Sequence, residues 1–239
     1  MWTENGRKHA GGHPVIELRD VRLNLAAGGS TVKILRGVEL CVSTGETVAV
    51  TGPSGSGKTS LLMVIAGLEA ASSGEVRILG RDVTRMNEDA LARLRRGRIG
   101  IVFQGFHLVP TMTAVENVRL PLELAGASHA RRKAEESLER VGLGERLWHY
   151  PAQLSGGEQQ RVALARAFAD APEIVLADEP TGNLDAATGS EVMRRMFALR
   201  REHGAALVLV THDAGLAGQC DRNLVMRDGC LEPDAVGGP

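Results

Sequence analysis

The sequence predicts an α/β fold in which a mostly parallel sheet is packed against helices. The first indication is a glycine-rich loop, residues 52–59, that joins one short apolar segment to another. The second is a pair of continuous apolar runs, residues 174–177 and 206–210, which are typical of parallel strands covered on both faces. The third is a charged, helix-rich stretch at about residues 86–165, which we expect to be a helical subdomain inserted into the α/β core.

The elements before this insertion are bounded by turn-rich segments. They are strands at residues 15–23, 34–42, 47–51 and 76–79 and a helix at residues 60–66. We expect a small antiparallel β layer beside a strand–loop–helix unit.

The elements of the insertion and of the last third follow from capping and turn signals. They are helices at residues 88–96, 131–141 and 187–203, strands at residues 99–103, 174–177 and 206–210, a capping box at Thr113 and Glu116, and a hairpin over residues 223–231. The charge run of residues 131–133 is followed by two glutamates, and we interpret it as a solvated helix face rather than a nucleic-acid patch.

The composition limits the class of protein. With 28 Lys+Arg and 29 Asp+Glu in 239 residues, the net charge of −1 argues against a protein that works by electrostatic capture of nucleic acid. Cys41, Cys220 and Cys230 are scattered and form no C-x-x-C pair. We therefore expect reduced cytosolic cysteines, and neither a disulfide framework nor a zinc site.

The predicted domain leaves both ends of the chain outside the core. We expect residues 15–232 to form a single domain, residues 1–14 a flexible arm and residues 233–239 a flexible tail. No apolar run approaches the roughly 18 residues that a membrane span needs, and the polar N-terminus lacks the apolar core of a signal peptide. We therefore expect any role at a membrane to depend on a partner.

The glycine-rich loop matches the phosphate-binding pattern G-x-x-x-x-G-K-[ST]. Its glycines let successive backbone N–H groups converge on an anion, and the following helix directs its N-terminus at the same anion. Lys58 supplies a charge for the β- and γ-phosphates, and Thr59 a hydroxyl for Mg²⁺. We expect a nucleotide to contact the loop and the residue after it: Gly52, Pro53, Ser54, Gly55, Ser56, Gly57, Lys58, Thr59 and Ser60.

Two carboxylates follow the apolar strand of residues 174–177. Ligands of parallel α/β sheets bind beyond the carboxyl ends of the strands. Asp178 is therefore expected to hold Mg²⁺, directly or through water, and Glu179 to polarise the attacking water.

A second anion-binding helix terminus is predicted at Ser155, in the sequence Leu-Ser-Gly-Gly-Glu-Gln-Gln. Ser155 and Glu158 have the spacing of a capping box, and Gly156 and Gly157 leave the first helical N–H groups uncovered. We expect this helix to continue to about residue 170. Capping alone does not distinguish this segment from an ordinary capped helix.

Together the motifs resemble those of the ATPase subunits of ABC transporters, over about residues 15–232. In family order they are the phosphate loop 52–59, the Q-loop glutamine Gln104, the signature segment 154–160, the pair Asp178 and Glu179, the D-loop 183–185 and the switch histidine His212. Residues 103–104, 108–111 and 177–185 are similar to the lipoprotein-releasing and macrolide-efflux group, and to its YbbA-like members above all.

The resemblance implies roles for these residues. Glu179, His212, Gln104 and Lys58 are expected to be catalytic, and the residues expected to hold Mg²⁺ are Thr59, Gln104 and Asp178. Two copies would bind head to tail with ATP between them. The signature residues Ser155, Gly156, Gly157 and Glu158 of one copy would then contact the ATP of the other.

The resemblance also implies partners. They are a second copy of the chain and a separate integral-membrane permease, with no nucleic acid, and the chain is expected at the cytoplasmic face of the cell membrane. The expected work is export or extraction of a lipid, lipoprotein, peptide or drug. Residues 15–40 contain no aromatic side chain, and Leu25 takes the place of the family's adenine-stacking ring. We expect weaker and less selective recognition of the base.

Three alternatives stay open at this point. The first is a regulator that transmits force to a periplasmic enzyme, for which the same ATPase chemistry would serve. The second is a soluble ABC ATPase of DNA repair or translation, although those typically carry long coiled-coil insertions or two tandem ATPase units. The third is a phosphate-loop kinase or GTPase, which would leave residues 154–160 without a role.

Overall fold

The computed structural model describes residues 13–27 and 30–234. The strands in this part of the chain are β1 (Pro14–Ala27), β2 (Ser30–Ser43), β3 (Thr47–Thr51), β4 (Ser73–Ile78), β5 (Arg81–Asp82), β6 (Ile99–Phe103), β7 (Ile174–Asp178), β8 (Ala206–Val210), β9 (Arg222–Arg227) and β10 (Cys230–Pro233). The α-helices are α1 (Lys58–Ile65), α2 (Glu88–Arg95), α3 (Ala114–Leu124), α4 (Ala130–Arg140), α5 (Gly156–Phe168), α6 (Ala186–His203) and α7 (Ala214–Ala217).

The strands form two sheets. The smaller sheet is antiparallel and has the order β2-β1-β4-β5, which is the predicted β layer. The larger sheet has the order β10-β9-β3-β8-β7-β6, and its strands are parallel except for β10, which pairs antiparallel with β9. The phosphate loop follows β3, near the middle of this sheet, so the carboxyl ends of β6 and β7 lie close to it.

The apolar runs behave as expected of strands covered on both faces. On β8, Val208 and Val210 pack into the core shared with the antiparallel layer, whereas Leu207 and Leu209 pack into the core shared with the helices α3–α6. All five residues of β8 are fully buried. Strict alternation between two cores fixes the register, because a shift by one residue would exchange the two faces.

The element boundaries differ from the predicted ones by a few residues. Helix α5 ends at Phe168 rather than near residue 170, and β4 begins at Ser73 rather than Val76. Strand β10 continues to Pro233, one residue into the segment predicted as a flexible tail. The predicted arm lies outside the described residues, except for His13 and for Pro14, which begins β1.

The thiols of Cys41, Cys220 and Cys230 are free, and burial raises the pKa of Cys220 to about 11. Within the described residues, no three His, Cys, Asp or Glu side chains group as a metal site. None of the helices in residues 13–27 and 30–234 combines the length and apolar character that a membrane span needs.

Candidate active site

A polar cleft of about 450 Å³ lies at the carboxyl ends of β3, β6 and β7. Its lining residues are spread over 145 positions of the sequence, from Ile34 to Glu179. The lining residues are Ile34, Ser54, Gly55, Gly57, Lys58, Thr59, Ser60, Gln104, Asp178 and Glu179. All of these except Ile34 were candidates from the sequence.

The phosphate loop needs glycine where its backbone is left-handed and closely packed. Gly52 has a φ of 137°, and a Cβ there would lie 2.2 Å from the carbonyl oxygen of Met226 on β9. Gly57 has a φ of 108°, and a Cβ there would lie 3.0 Å from the carbonyl oxygen of Ile34. The loop is therefore compressed between β2 and β9, which leaves space only for backbone.

Lys58 is the buried cation of the loop. Its side chain lies in the first turn of α1, and its Nζ donates to the carbonyl oxygens of Gly52 and Pro53, each at 2.8 Å. The residue is 8% exposed. These contacts hold a positive charge at the mouth of the loop, where the helix N-terminus also favours an anion.

Thr59 and Asp178 form an oxygen-rich pair beside Lys58. The Thr59 hydroxyl donates to Oδ2 of Asp178 at 2.8 Å. Burial raises the pKa of the Asp178 carboxyl above its ordinary value; the Thr59 hydrogen bond opposes this rise, and the charge of Glu179 adds to it. Hydroxyl and carboxylate oxygens are the ligands that Mg²⁺ prefers, and a cation would relieve the burial of two adjacent carboxylates. The donor set therefore fits Mg²⁺.

Glu179 has a strained backbone that directs it into the cleft. Its φ is 42°, which is uncommon for a residue with a side chain. Its N–H donates to the carbonyl oxygen of Val210 at 2.9 Å, and its Oε2 lies 3.2 Å from Nδ1 of His212. Glu179 is thus joined by its backbone to the last residue of β8 and by its side chain to the segment after β8.

Gln104 lines the cleft but is also bound to the segment after Glu179. Its Nε2 donates to Oδ1 of Asn183 at 3.1 Å, and Nδ2 of Asn183 donates to its carbonyl oxygen at 3.1 Å. The sequence suggested Gln104 as a metal and water ligand. The reciprocal amide contact with Asn183 has no local sequence signal, because the two residues are 79 positions apart.

The predicted capping box at the start of α5 is present. The Ser155 hydroxyl accepts from the N–H of Glu158, and the Glu158 carboxylate accepts from the N–H of Ser155. That backbone N–H lowers the pKa of Glu158, and Arg146, 3.3 Å away, adds to the effect. A Cβ on Gly157 would lie 2.2 Å from Cγ2 of Thr188, so glycine allows α5 to pack closely on α6.

The signature residues and Leu25 do not line this cleft. Ser155 to Glu158 are not among its lining residues in the described chain. Leu25 lies on β1 opposite Val32 of β2, and the two side chains are 40% and 44% exposed. The sequence analysis assigned the signature residues to the ATP of an opposing copy, and Leu25 to the base. Both sets lie outside the cleft of their own subunit.

The fold and the cleft define a phosphate-loop nucleotide triphosphatase with a carboxylate pair, a histidine and an inserted helical subdomain. A family model described as "ABC transporter" matches residues 35–182, and the chain belongs to that family. Members of the family bind and hydrolyse ATP, and this chain is therefore an ATPase and the ATP-binding subunit of a transporter.

Curated relatives cover nearly the whole chain. It is 51% identical over 223 residues to the uncharacterized ABC transporter ATP-binding protein YbbA of Escherichia coli K12, covering 92% of this chain and 98% of that one. It is 48% identical over 225 residues to the lipoprotein-releasing system ATP-binding protein LolD 2 of Caulobacter vibrioides, covering 93% and 99%. It is also 48% identical over 226 residues to the macrolide export ATP-binding/permease protein MacB of Syntrophobacter fumaroxidans, covering 92% of this chain but 32% of that protein.

A solved structure shows the same fold. The ATP-binding cassette MJ0796, described as a dimer in a post-hydrolysis state bound to ADP and Pi, superposes with a TM-score of 0.85 at 40% identity. The match covers 91% of this chain and 98% of that chain. The expected α/β ATPase fold, with its antiparallel layer and helices, is thereby confirmed.

Proposed function

We propose that two copies of this chain bind two ATP molecules between them and drive a separate integral-membrane permease. The proposal rests on one observation: the two anion-binding elements of a subunit do not share one cleft. The phosphate loop, Asp178 and Glu179 share one cleft, whereas the capped terminus at Ser155 does not line it. An opposing copy is therefore needed to bring Ser155 to the triphosphate. The dimeric state described for MJ0796 supports this arrangement.

Each residue of the cleft has a different role in the proposed hydrolysis. Lys58 and the loop N–H groups bind the phosphates, and Thr59, Asp178 and Gln104 would hold Mg²⁺, which supplies charge neutralisation when bound. Glu179 orients and polarises the attacking water, and His212 fixes the Glu179 carboxylate through its Nδ1. The Ser155 hydroxyl and the backbone N–H groups at the start of α5 would complete the site from the opposing copy.

The permease and its cargo are proposed from the relatives. LolD is named for lipoprotein release, and MacB for macrolide export with a permease in the same protein. We propose that this chain lies at the cytoplasmic face of the membrane, bound to a permease that exports or extracts a lipid, lipoprotein, peptide or drug. The matches to YbbA and LolD, which extend over nearly their full lengths, favour a permease on a separate chain.

The dimer is tested with Glu179→Gln, which keeps the shape of the side chain but removes its basic oxygen. Saturated with Mg·ATP, this variant should bind nucleotide, lose most hydrolysis and elute as a dimer in size exclusion with light scattering. Adding Ser155→Ala should return it to a monomer that still binds ATP. Ser137→Ala is the matched control, because the Ser137 hydroxyl on α4 donates to the Lys133 carbonyl of the same helix. A strictly monomeric Glu179→Gln protein, alone and with its membrane partner, would contradict the proposal.

The permease is tested by tagging the Glu179→Gln chain and purifying it from detergent-solubilised membranes with Mg·ATP. We expect an integral-membrane protein in stoichiometric amount that raises the ATPase rate of the wild-type chain after reconstitution. Recovery of the chain only from the soluble fraction would contradict the membrane role and favour a soluble ABC ATPase.

A further inference from the structure

The turn that follows Gln104 is held by an arginine from the helix that begins at Ser155. On α5, Arg166 donates through Nη2 to the carbonyl oxygen of Phe106 at 2.8 Å and through Nη1 to that of His107 at 2.6 Å. Both acceptor residues have a left-handed backbone, with φ of 59° for Phe106 and 49° for His107. Two consecutive side-chain-bearing residues in this conformation are strained, and such strain persists only where neighbours restrain it.

Both terminal nitrogens of Arg166 donate to these two carbonyl groups. Its side chain is half-buried, and burial lowers the pKa of its guanidinium. No ion pair within the described chain involves Arg166, and Asp170, two residues beyond the end of α5, pairs with Lys133 at 2.9 Å. A desolvated cation that pairs with no carboxylate is a costly way to stabilise a surface turn. We interpret these hydrogen bonds as the means by which Arg166 fixes the position of the turn.

The same turn contacts α5 elsewhere. Nε2 of Gln160 donates to the carbonyl oxygen of Phe103 at 3.3 Å, immediately before Gln104. The ring of Phe106 reaches the first turn of α5, where its Cζ lies 3.7 Å from the position of a Cβ on Gly156. Gln104 is therefore flanked on both sides by residues that α5 holds.

We propose that Arg166 is a positioning residue for ATP hydrolysis: it fixes the turn 105–107 and thereby places Gln104 in the cleft. The inference rests on the proposed role of Gln104. Because α5 carries Ser155 at its beginning and Arg166 near its end, a shift of α5 toward the opposing copy also moves the turn beside the subunit's own Gln104. One rigid helix then links the two nucleotide sites.

The first test replaces Arg166 by Met, which keeps the apolar stem, and by Lys, which keeps the charge but not the forked donors. With Arg166→Met, kcat for ATP should fall about tenfold or more, because two backbone carbonyl groups of the strained turn lose a charged donor. KM for ATP should change less than about twofold, since the phosphate loop is untouched. Arg166→Lys should give an intermediate kcat.

Arg200→Met on α6 is the matched control. Arg200 also donates to a backbone carbonyl, that of Ala205, at 2.9 Å, but it lies away from the cleft. This variant should lose thermal stability and keep kcat. A folded Arg166→Met protein with kcat within twofold of wild type, or a loss equal to that of Arg200→Met, would overturn the inference.

A rescue variant separates positioning from general stability. Glycine adopts left-handed backbone without strain, so His107→Gly in the Arg166→Met background should recover about fivefold in kcat. If Arg166→Met does not fold, the same comparison is made in Arg166→Lys. Absence of any recovery would overturn the inference.

Gln104→Ala distinguishes this inference from the proposal on which it rests. The double variant Arg166→Met, Gln104→Ala should be no slower than Gln104→Ala alone, because Arg166 acts through Gln104. Multiplied losses would overturn the role of Arg166 only. Full activity of Gln104→Ala would instead overturn the role proposed for Gln104.

Discussion

The imidazole Nδ1 of His212 lies 3.2 Å from Oε2 of Glu179, at the carboxyl ends of adjacent strands β8 and β7. Glu179 reaches this contact only because its backbone is left-handed, with a φ of 42°. The pair therefore combines a strained backbone with a side-chain partner that fixes one carboxylate oxygen. The other oxygen stays available to a water molecule in the cleft.

The first prediction concerns this pair. Glu179→Gln should lower kcat about 10²–10⁴-fold, because the general base is lost, and His212→Ala should lower it in the same direction. The double variant should be little slower than Glu179→Gln, because the two residues act as a unit. Single-turnover ATPase assays measure these effects. His129→Asn, an exposed histidine at the start of α4, is the control, and independent, multiplying losses would contradict the pairing.

The second prediction concerns the buried ammonium of the phosphate loop. Lys58→Met should weaken ATP binding about 10–100-fold, because a charged donor to the phosphates is removed. A fluorescent nucleotide titration measures the Kd. Lys133→Met on α4, which removes the ion pair with Asp170, should leave the Kd unchanged. Equal affinity of Lys58→Met and wild type would show that the loop binds phosphate through its backbone alone.

The third prediction separates capping from nucleotide contact at Ser155. Ser155→Ala and Thr113→Ala each remove a capping-box hydroxyl, and each should lower the free energy of unfolding by about 1 kcal/mol. Only Ser155→Ala should also abolish most ATP turnover, because we propose that Ser155 contacts the nucleotide of the opposing copy. Urea titrations and ATPase assays are compared on both proteins. Equal turnover in the two variants would show that Ser155 only caps α5 and does not contact the nucleotide.

The fourth prediction is a pH dependence at the same cap. The Ser155 N–H, with help from Arg146, holds the pKa of Glu158 below its ordinary value of 4.5. A lowered carboxyl pKa contributes stability that is present above the unfolded pKa and is lost as the pH falls through the folded one. Glu158→Gln should therefore destabilise the protein more at pH 7 than at pH 4 and below.

Urea unfolding at the two pH values measures this difference. Glu145→Gln, at an exposed glutamate between α4 and α5, serves as the control for general charge effects. A Glu158→Gln effect that is the same at both pH values would show that the cap does not depend on the ionised carboxylate.

The fifth prediction concerns base recognition. Leu25 of β1 is exposed and lies opposite Val32 of β2. Ile34, two residues further along β2, lines the cleft. Leu25→Tyr should tighten ATP binding by about 1–3 kcal/mol and raise selectivity over GTP, because a stacking ring is added. Competitive nucleotide titration measures both. Leu124→Tyr at the end of α3 is the control, and no gain for Leu25→Tyr would remove this residue from the base site.

The sequence by itself predicted the residue types of the candidate site. A phosphate loop, a capping box and a carboxylate pair at the end of an apolar strand are local patterns, in which residue types at fixed spacing set the backbone geometry. The strands of the larger sheet were also predictable, because continuous apolar runs are typical of strands whose successive residues pack into two cores. The sequence predicts Asp178 and Thr59 as ligands of one metal ion, and their side chains lie 2.8 Å apart.

Only the tertiary structure decided which of these elements share a space. It placed Ile34 in the cleft, paired Gln104 with Asn183, and set Arg166 against the turn at Phe106 and His107. It also left Ser155 outside the cleft that holds Lys58. These relationships depend on strand order and helix packing over tens of residues, and a linear pattern contains no distance of that kind.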